Sequence, residues 1–293
     1  MPPKHTVLLQ GPPIVIDAAP LTREAFAPFG DVVENPHPDL HPSVFAKDPS
    51  PLPFSAVSAN QGSAIKYQHV SHQINLYNQA RSGRPGSAIM SMFVCAARAR
   101  VPDPHEEESA PAPAPTPTAT PPRTETSPRQ LPTTFPVIVL ERHPFTTQTF
   151  IPLSKDPAAH YLVIVAPTLA ATTTDSSTFA VPSQLPPSAK YPRPLPGAGL
   201  PDLSRLHAFV AGPGQAVTYG AGTWHAPMVA LGETGTTAVD FVVVQFANGV
   251  GEEDCQEVLF ERQGSEDAAA PVLVRLRPLQ QGTEEGEMTR ARL

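Results

Sequence analysis

Proline occurs along almost the whole chain, and its distribution limits the possible folds more than any other feature of the sequence. The chain has 39 prolines among 293 residues. Proline lacks a backbone N–H and interrupts both helices and central strands, so long helices are disfavoured. The sequence therefore favours many short strands joined by loops. Short apolar runs separated by turn residues are typical of an antiparallel β-sandwich or β-barrel.

Three segments differ in composition from the rest of the chain. Residues 101–132 contain ten prolines among alanine, threonine, serine and glutamate. Such a segment buries too little apolar surface to offset its ordering entropy, which predicts a disordered insertion. Residues 167–203 are predicted to be a second disordered insertion, rich in proline, threonine and serine, and residues 279–293 a flexible tail. The remainder, residues 14–100 and 133–278, is predicted to form one catalytic domain.

Charge and cysteine content limit the partners and the compartment. The net charge of −7 gives no basic footprint, so nucleic acid is not an expected partner. No apolar run approaches the roughly 20 residues that a membrane span needs, and no secretory signal is expected. Cys95 and Cys255 are expected to be reduced thiols in an intracellular protein. The ending 291–293, Ala-Arg-Leu, resembles a peroxisomal address, so cytoplasm or peroxisome is expected, with a chance match as the alternative.

Residues 137–153 form the most informative stretch, an apolar strand, a polar turn and a second apolar strand. Period-two alternation places Glu141 and His143 on one face of the first strand and Arg142 on the other. Gln148 follows five residues after His143. This spacing predicts a group of polar side chains where the strand ends.

A second polar stretch, residues 219–225, together with the preceding Gly214, completes a pattern typical of cupins. Cupin barrels carry His-x-His followed about five residues later by Glu, and then Gly, five residues, Pro-x-Gly, two residues and His. Here Glu141 and Gln148 replace a histidine and the glutamate of the first motif, and Gly220 replaces the proline of the second, which ends at His225. Both motifs in this order predict an all-β, cupin-like jelly-roll barrel with a few short helices, inside which the two stretches meet.

Longer matches make this likeness more specific. The sequence resembles the ureidoglycolate lyase family, which is cupin-like, in residues 20–32, 60–62, 135–152 and 217–228 and in the strand that starts at Asp240. The resemblance spans the predicted domain and leaves out the insertions and the tail. It implies cleavage of (S)-ureidoglycolate to glyoxylate and urea in purine and allantoin breakdown, by a homodimer.

The chemistry implied by this resemblance defines what the site must contain. The reaction is an elimination without water: the substrate hydroxyl loses its proton, a C=O bond forms and the ureido nitrogen leaves. It requires a base and a proton donor. His143 and His225 are the candidates for base and acid because histidine titrates near neutral pH. Glu141 could orient His143, raise its basicity or bind a metal ion.

Further residues are assigned to substrate binding. Lys66, which is counted with the predicted catalytic residues, is the candidate seat for the substrate carboxylate, with Asn60 and Gln61 as polar neighbours. Gln148 could bind the ureido carbonyl, and Tyr219 could donate to a forming oxyanion. Asp240 is predicted to be a carboxylate that pairs with His225. Trp224 is predicted to pack in the core or to form a wall of the pocket.

Two questions stay open at the level of the sequence. Glu141, His143, Gln148 and His225 form an N₂O₂ set that could hold Ni²⁺ or Zn²⁺, and the resemblance implies nickel. However, Glu141 and Gln148 replace stronger cupin ligands, and the elimination could proceed without a metal. The alternatives to a lyase are an amidohydrolase that releases ammonia and a non-catalytic cupin that binds a small organic acid.

Overall fold

The structure is a computed structural model. It describes residues 4–48, 50–104, 133–154, 156–186, 191–262 and 270–276. No helix within these ranges is long and apolar enough to cross a membrane.

Strands dominate the described residues, and the helices are short. The strands are β1 (Lys4–Leu9), β2 (Ile14–Pro20), β3 (Gly30–Val33), β4 (Val57–Ala59), β5 (Ala64–Lys66), β6 (Ser87–Ala96), β7 (Val101–Pro102), β8 (Thr133–Val137), β9 (Val139–Arg142), β10 (Gln148–Pro152), β11 (His160–Ala166), β12 (His207–Ala211), β13 (Ala216–Tyr219), β14 (Trp224–His225), β15 (Val229–Leu231), β16 (Ala238–Ala247), β17 (Gln256–Arg262) and β18 (Val272–Leu276). The helices are α1 (Arg23–Phe26), α2 (Pro42–Lys47), α3 (Thr173–Thr178) and α4 (Gly251–Asp254).

Two sheets form the body of the protein. The large sheet has the strand order β1-β17-β9-β14-β11-β12-β2-β18-β8-β7, with β15 also paired to β11. The small sheet has the order β3-β13-β10-β16-β6, and β4 and β5 form a separate hairpin. The prediction of an all-β, cupin-like fold is confirmed.

The central strand β11 explains how the core is divided. Tyr161, Val163 and Val165 belong to a core that also includes the inward side chains of the small sheet. Leu162 and Ile164 belong to a second core, to which most strands of the large sheet contribute. A strand covered on both faces reads as one continuous apolar run, as this strand does in the sequence.

The predicted domain limits and edges need two corrections. β1 pairs in parallel with β17, so the fold starts before residue 14. The apolar runs at residues 255–259 and 270–276 predict edge strands that close the domain. In the structure, β17 and β18 are each paired on both sides, β17 with β1 and β9, and β18 with β2 and β8. Whether a strand lies at the edge of a sheet depends on which distant strands pair with it, and the periodicity of its own residues does not show this.

The prediction of disorder for residues 167–203 was wrong for the described part of this segment. Phe179 and Ala198 are buried in the second core, and α3 carries a capping box at Thr172. The side chain of Arg142 donates to carbonyl oxygens of residues 197–199, which supplies partners for backbone that forms no sheet. Composition alone could not reveal these donors, because they come from β9.

The structure describes the first insertion only at its margin and does not describe the tail. Val101 and Pro102 form β7, which pairs with β8, and the buried Asp103 accepts a hydrogen bond from Arg275. Residues 105–132 and 279–293, the latter including the Ala-Arg-Leu ending, lie outside the described residues.

The apolar run at residues 90–96 predicts a buried strand, and this prediction was wrong. β6 is the edge strand of the small sheet. Met90, Met92 and Val94 expose 73%, 63% and 69% of their surface. These three side chains alternate with Ser91 and Phe93, so they lie together on the outer face of the sheet.

Candidate active site

Three neighbouring strands of the large sheet carry a row of polar side chains. Glu141 on β9 lies opposite His225 of β14 on one side and opposite Glu257 of β17 on the other. Residues opposite each other on adjacent strands share a face. His225 also lies opposite Val165, a member of the core between the two sheets. The row therefore points into the space between the sheets.

The two sequence motifs meet at this row, as predicted. The N–H of Gly222 donates to the carbonyl oxygen of His143 at 2.9 Å. Gly222 has a φ of +78°, in the left-handed region that favours glycine. The turn before His225 is thereby joined to the end of β9, and the imidazole rings of His143 and His225 come to a centroid separation of 5.6 Å.

Backbone carbonyls determine the tautomer of both histidines. The Nδ1–H of His143 donates to the carbonyl of Asp254 at 2.6 Å, and that of His225 to the carbonyl of Thr223 at 2.8 Å. A carbonyl oxygen only accepts, so the proton of each neutral ring is on Nδ1. Each Nε2 is buried and has no hydrogen-bond partner among the described residues. Two nitrogen lone pairs are thus available in one pocket.

Burial makes these groups unusual acids and bases. Desolvation, with a smaller contribution from His143, lowers the pKa of His225 to about 3, and burial also lowers the pKa of His143. Both rings are therefore neutral at neutral pH. Desolvation and the nearby charge of Glu257 raise the pKa of Glu141 to about 7. Glu141 Oε1 lies 3.7 Å from His225 Nε2.

The donor set fits a divalent cation. Ligand atoms of Glu141, His143 and His225 lie within 4.8 Å of one another. Gln148 donates through Nε2 to Gln245 at 2.6 Å, which leaves its Oε1 buried without a partner. Imidazole nitrogens with carboxylate and amide oxygens are ligands that Zn²⁺ and Ni²⁺ accept. The four residues proposed from the sequence as metal ligands thus present orphaned lone pairs or a carboxylate.

The small sheet supplies the opposite wall. Tyr219 lies opposite Gln148 in the sheet register, and its ring stacks on the ring of His225 with centroids 3.9 Å apart. The Tyr219 hydroxyl is directed at the sulfur of Met228, at 3.9 Å. Tyr219 therefore contacts the site through its ring face, whereas the sequence suggested a role for its hydroxyl.

Three predicted residues lie elsewhere in the chain. Lys66, Asn60 and Gln61 are exposed and belong to the β4–β5 hairpin, which packs against α2. Asn60 and Gln61 have φ values of +48° and +58°. Among the described contacts, none joins these side chains to His143 or His225, so their role in substrate binding stays a prediction.

The predicted pair of Asp240 and His225 is wrong. Asp240 is exposed and lies opposite Val94 on the outer face of the small sheet, because the alternate residue Phe241 points into the core. The carboxylate beside His225 is that of Glu141. Trp224 is fully buried in the second core, as expected, and its Nε1–H donates to the carbonyl of Gly199 at 3.1 Å.

Two residues of the site were missed by sequence analysis. Cys255 Sγ lies 3.9 Å from Glu141 Oε2, and Glu257 lies opposite Glu141. Cys255-x-Glu257 shows the same period-two spacing as Glu141-x-His143, and this was the available signal. It could be interpreted only after β17 was known to pair with β9.

The shifted pKa values predict opposite effects of pH on stability in metal-free protein. The folded state cannot protonate His225 until about pH 3, whereas the unfolded chain protonates it below 6.5. Stability from His225 is therefore lost as the pH falls. Glu141 keeps its proton up to about pH 7 in the folded state and up to only 4.5 in the unfolded chain, so its contribution is lost as the pH rises.

Urea unfolding at about pH 7 and about pH 5 would measure both effects. Relative to wild type, His225→Gln is expected to gain about 2 kcal/mol on going to the lower pH, and Glu141→Gln to lose about 2 kcal/mol. Subtracting the free energy of unfolding of the wild type from that of each variant removes the contribution of the other titrating groups. Differences that do not change with pH would contradict both assignments.

Comparison with known proteins identifies the family of the chain. The sequence model of the family described as Ureidoglycolate lyase matches residues 13–266. A ureidoglycolate lyase of Schizosaccharomyces pombe is 35% identical over 243 residues, which cover 82% of this chain and 89% of that protein. A ureidoglycolate lyase of Saccharomyces cerevisiae is 29% identical over 248 residues, covering 83% and 93%. One from Burkholderia mallei is 29% identical over 225 residues, covering 77% and 78%. The chain belongs to the ureidoglycolate lyase family.

Proposed function

We propose that this protein is a ureidoglycolate lyase, a carbon–nitrogen lyase that cleaves (S)-ureidoglycolate into glyoxylate and urea. The observation that carries this proposal is the pair of neutral, correctly oriented imidazoles beside a carboxyl group whose pKa is raised to about 7. A base and an acid in one buried pocket are what an elimination without water requires.

The proton transfers can be assigned to particular atoms. His225 Nε2 accepts the proton of the substrate hydroxyl as the C=O bond forms and the C–N bond breaks. The leaving ureido nitrogen takes a proton from the carboxyl group of Glu141. Imidazolium and carboxylate then lie 3.7 Å apart, and transfer of the proton from His225 back to Glu141 restores the starting state. His143, held by Asp254, is a second neutral ring in the pocket and can orient the substrate hydroxyl.

The same residues could instead hold a metal ion, and Glu141 and His225 would then act as its ligands in place of the acid and base roles that they have in the metal-free protein. Glu141, His143, His225 and Gln148 would hold Ni²⁺ or Zn²⁺, which would stabilise negative charge that develops on the substrate oxygen. Gln148 presents its amide oxygen, because its Nε2 is engaged with Gln245. Without an ion, that oxygen is suited to accept an N–H from the ureido group.

The proposed seat for the substrate carboxylate remains the β4–β5 hairpin. Lys66 is its cation, and Asn60 and Gln61 are its polar neighbours. The positive φ values of Asn60 and Gln61 support this proposal, because strained backbone is concentrated at functional sites. A higher KM of Lys66→Met for ureidoglycolate is the expected sign of this role.

Incubation with (S)-ureidoglycolate tests the proposed function. We expect glyoxylate and urea in equal amounts, measured with and without a chelator to establish whether an ion is needed. Release of ammonia without urea would instead show an amidohydrolase. Binding without turnover under either condition would show a non-catalytic cupin.

We also propose that the protein is a homodimer formed through the outer face of the small sheet. Met92 of β6, Val242 of β16 and Ile151 of β10 form one row across that face. Met90 and Val94 extend the row along β6. Contiguous exposed apolar surface marks an interaction site, and an edge strand can pair with its own copy across a twofold axis.

Sedimentation equilibrium would test this interface. Met92→Glu is expected to shift the protein from dimer to monomer, because the charge would be buried against apolar residues of the second copy. Leu8→Glu is the matched control, since Leu8 is also an exposed apolar residue, but on β1 of the large sheet. A monomeric wild type, or dissociation caused only by Leu8→Glu, would contradict the proposal.

A further inference from the structure

A second cluster of possible metal ligands adjoins the histidines. The ligand atoms of Glu141, Cys255 and Glu257 lie within 4.8 Å of one another. This set and the set formed by Glu141, His143 and His225 have only Glu141 in common. Cys255 and Glu257 alternate along the chain at the start of β17, and Glu257 lies opposite Glu141, so all three side chains point to one place.

One carboxylate of the cluster has an unsatisfied oxygen. Glu257 Oε2 is buried and has no hydrogen-bond partner in the part of the chain that the structure describes. Among the residues whose side chains are described, no lysine or arginine forms an ion pair with Glu141 or Glu257. Two partly buried carboxylates side by side are costly without a compensating cation or shared proton.

A buried histidine with an unpartnered nitrogen adjoins the cluster. The side chain of His225 is only 2% exposed, its Nε2 has no hydrogen-bond partner, and it is directed at the shared Glu141 from 3.7 Å. Lone pairs thus converge on Glu141 from both sides. A carboxylate with two oxygens can bridge two cations, as it does in two-metal sites.

We propose that Glu141, Cys255 and Glu257 form a second divalent-cation position, bridged by Glu141 to the position at His143 and His225. One sulfur and two carboxylate ligands favour Zn²⁺, Co²⁺ or Ni²⁺ over Mg²⁺ and Ca²⁺, which prefer oxygen ligands alone. Binding forms a metal–sulfur bond and releases the thiol proton to solvent. The inference relies on the first cation position only through the shared Glu141.

Cobalt binding to the full-length protein tests this proposal without substrate, so its outcome is independent of the lyase assay. Metal-stripped, reduced protein is dialysed against Co²⁺, and bound metal and the near-ultraviolet spectrum are measured. We expect two ions per chain and a thiolate-to-cobalt charge-transfer band. Cys255→Ser should bind one ion and lose the band. Cys95→Ser is the matched control, because Cys95 lies on β6, and it should keep both.

A near-isosteric change covers the case in which the cysteine variant does not fold. Glu257→Gln is expected to lower the affinity for the second ion by at least about tenfold. Losing a residue that only hydrogen-bonds to a metal ligand already lowers metal affinity by about that factor, and losing a ligand itself costs at least as much. Circular dichroism establishes folding of each variant. One ion per chain in wild type, no thiolate band, or a band that persists in Cys255→Ser would overturn the second position.

Discussion

Replacing His225 by alanine is expected to reduce the release of glyoxylate from (S)-ureidoglycolate by roughly 10²–10⁴-fold, the usual contribution of a positioned general base. The reason is that His225 Nε2 is the unprotonated nitrogen beside Glu141, with its other nitrogen held by Thr223. Loss of a metal ligand at the same position would act in the same direction. The measurement is kcat/KM at neutral pH, with and without added Ni²⁺.

His160→Ala is the matched control. His160 begins β11, the strand that pairs with His225 at Val165, so it lies on the same sheet several residues away from the site. We expect its kcat/KM to stay near the wild-type value. Wild-type turnover by a folded His225→Ala would remove His225 from the reaction, and equal losses in both variants would indicate damage to the sheet.

Replacing Arg142 by alanine is expected to lower the free energy of unfolding by about 3–5 kcal/mol, because each of several buried acceptors left without a donor costs about 1–3 kcal/mol. Arg142 is fully buried and donates to Gln256 at 2.9 Å and to the carbonyl of Gly197 at 2.8 Å. Its guanidinium also lies 4.3 Å from the ring of Trp224. The substitution would leave buried acceptors without donors and remove this packing.

Denaturant unfolding of the metal-free protein measures this loss. Arg205→Ala is the matched control, because its ion pair with Asp202 involves an arginine side chain that is 63% exposed, and a surface pair contributes about 0–1 kcal/mol. Arg142 connects β9 to residues 197–199 on one face of the strand while Glu141 faces the site on the other. A loss for Arg142→Ala no larger than that of the control would show that the guanidinium does not stabilise this connection.

The parts of the site that could be predicted are those encoded within a single strand or turn. Alternation placed Glu141 with His143 and away from Arg142, and the structure has Arg142 buried on the far face and Glu141 beside His225. The spacing of Gly220, Gly222 and His225 predicted a turn that presents a histidine. These features depend on neighbouring residues, whose geometry follows from the local backbone period.

Features that depend on pairing between distant strands were predicted less well. Cys255 and Glu257 lie in the site because β17 pairs with β9. Asp240 lies outside the site because its neighbour on β16, Phe241, points into the core. The strand β6 has an apolar sequence that suggested burial, yet its outer face remains uncovered within one chain. Apolar composition shows that a surface needs a partner, but not whether that partner lies in the same chain.

The all-β class, the two motifs and the family could be predicted from the residues alone, because proline content, alternation and motif spacing are properties of contiguous residues. Which groups share the pocket, and which protons they carry, depends on how the strands pack in three dimensions. The neutral state of His143 and His225 and the raised pKa of Glu141 arise from burial between two sheets and from neighbours far away in the chain. Desolvation and charge act through space, and distances in space are set only when the strands pair.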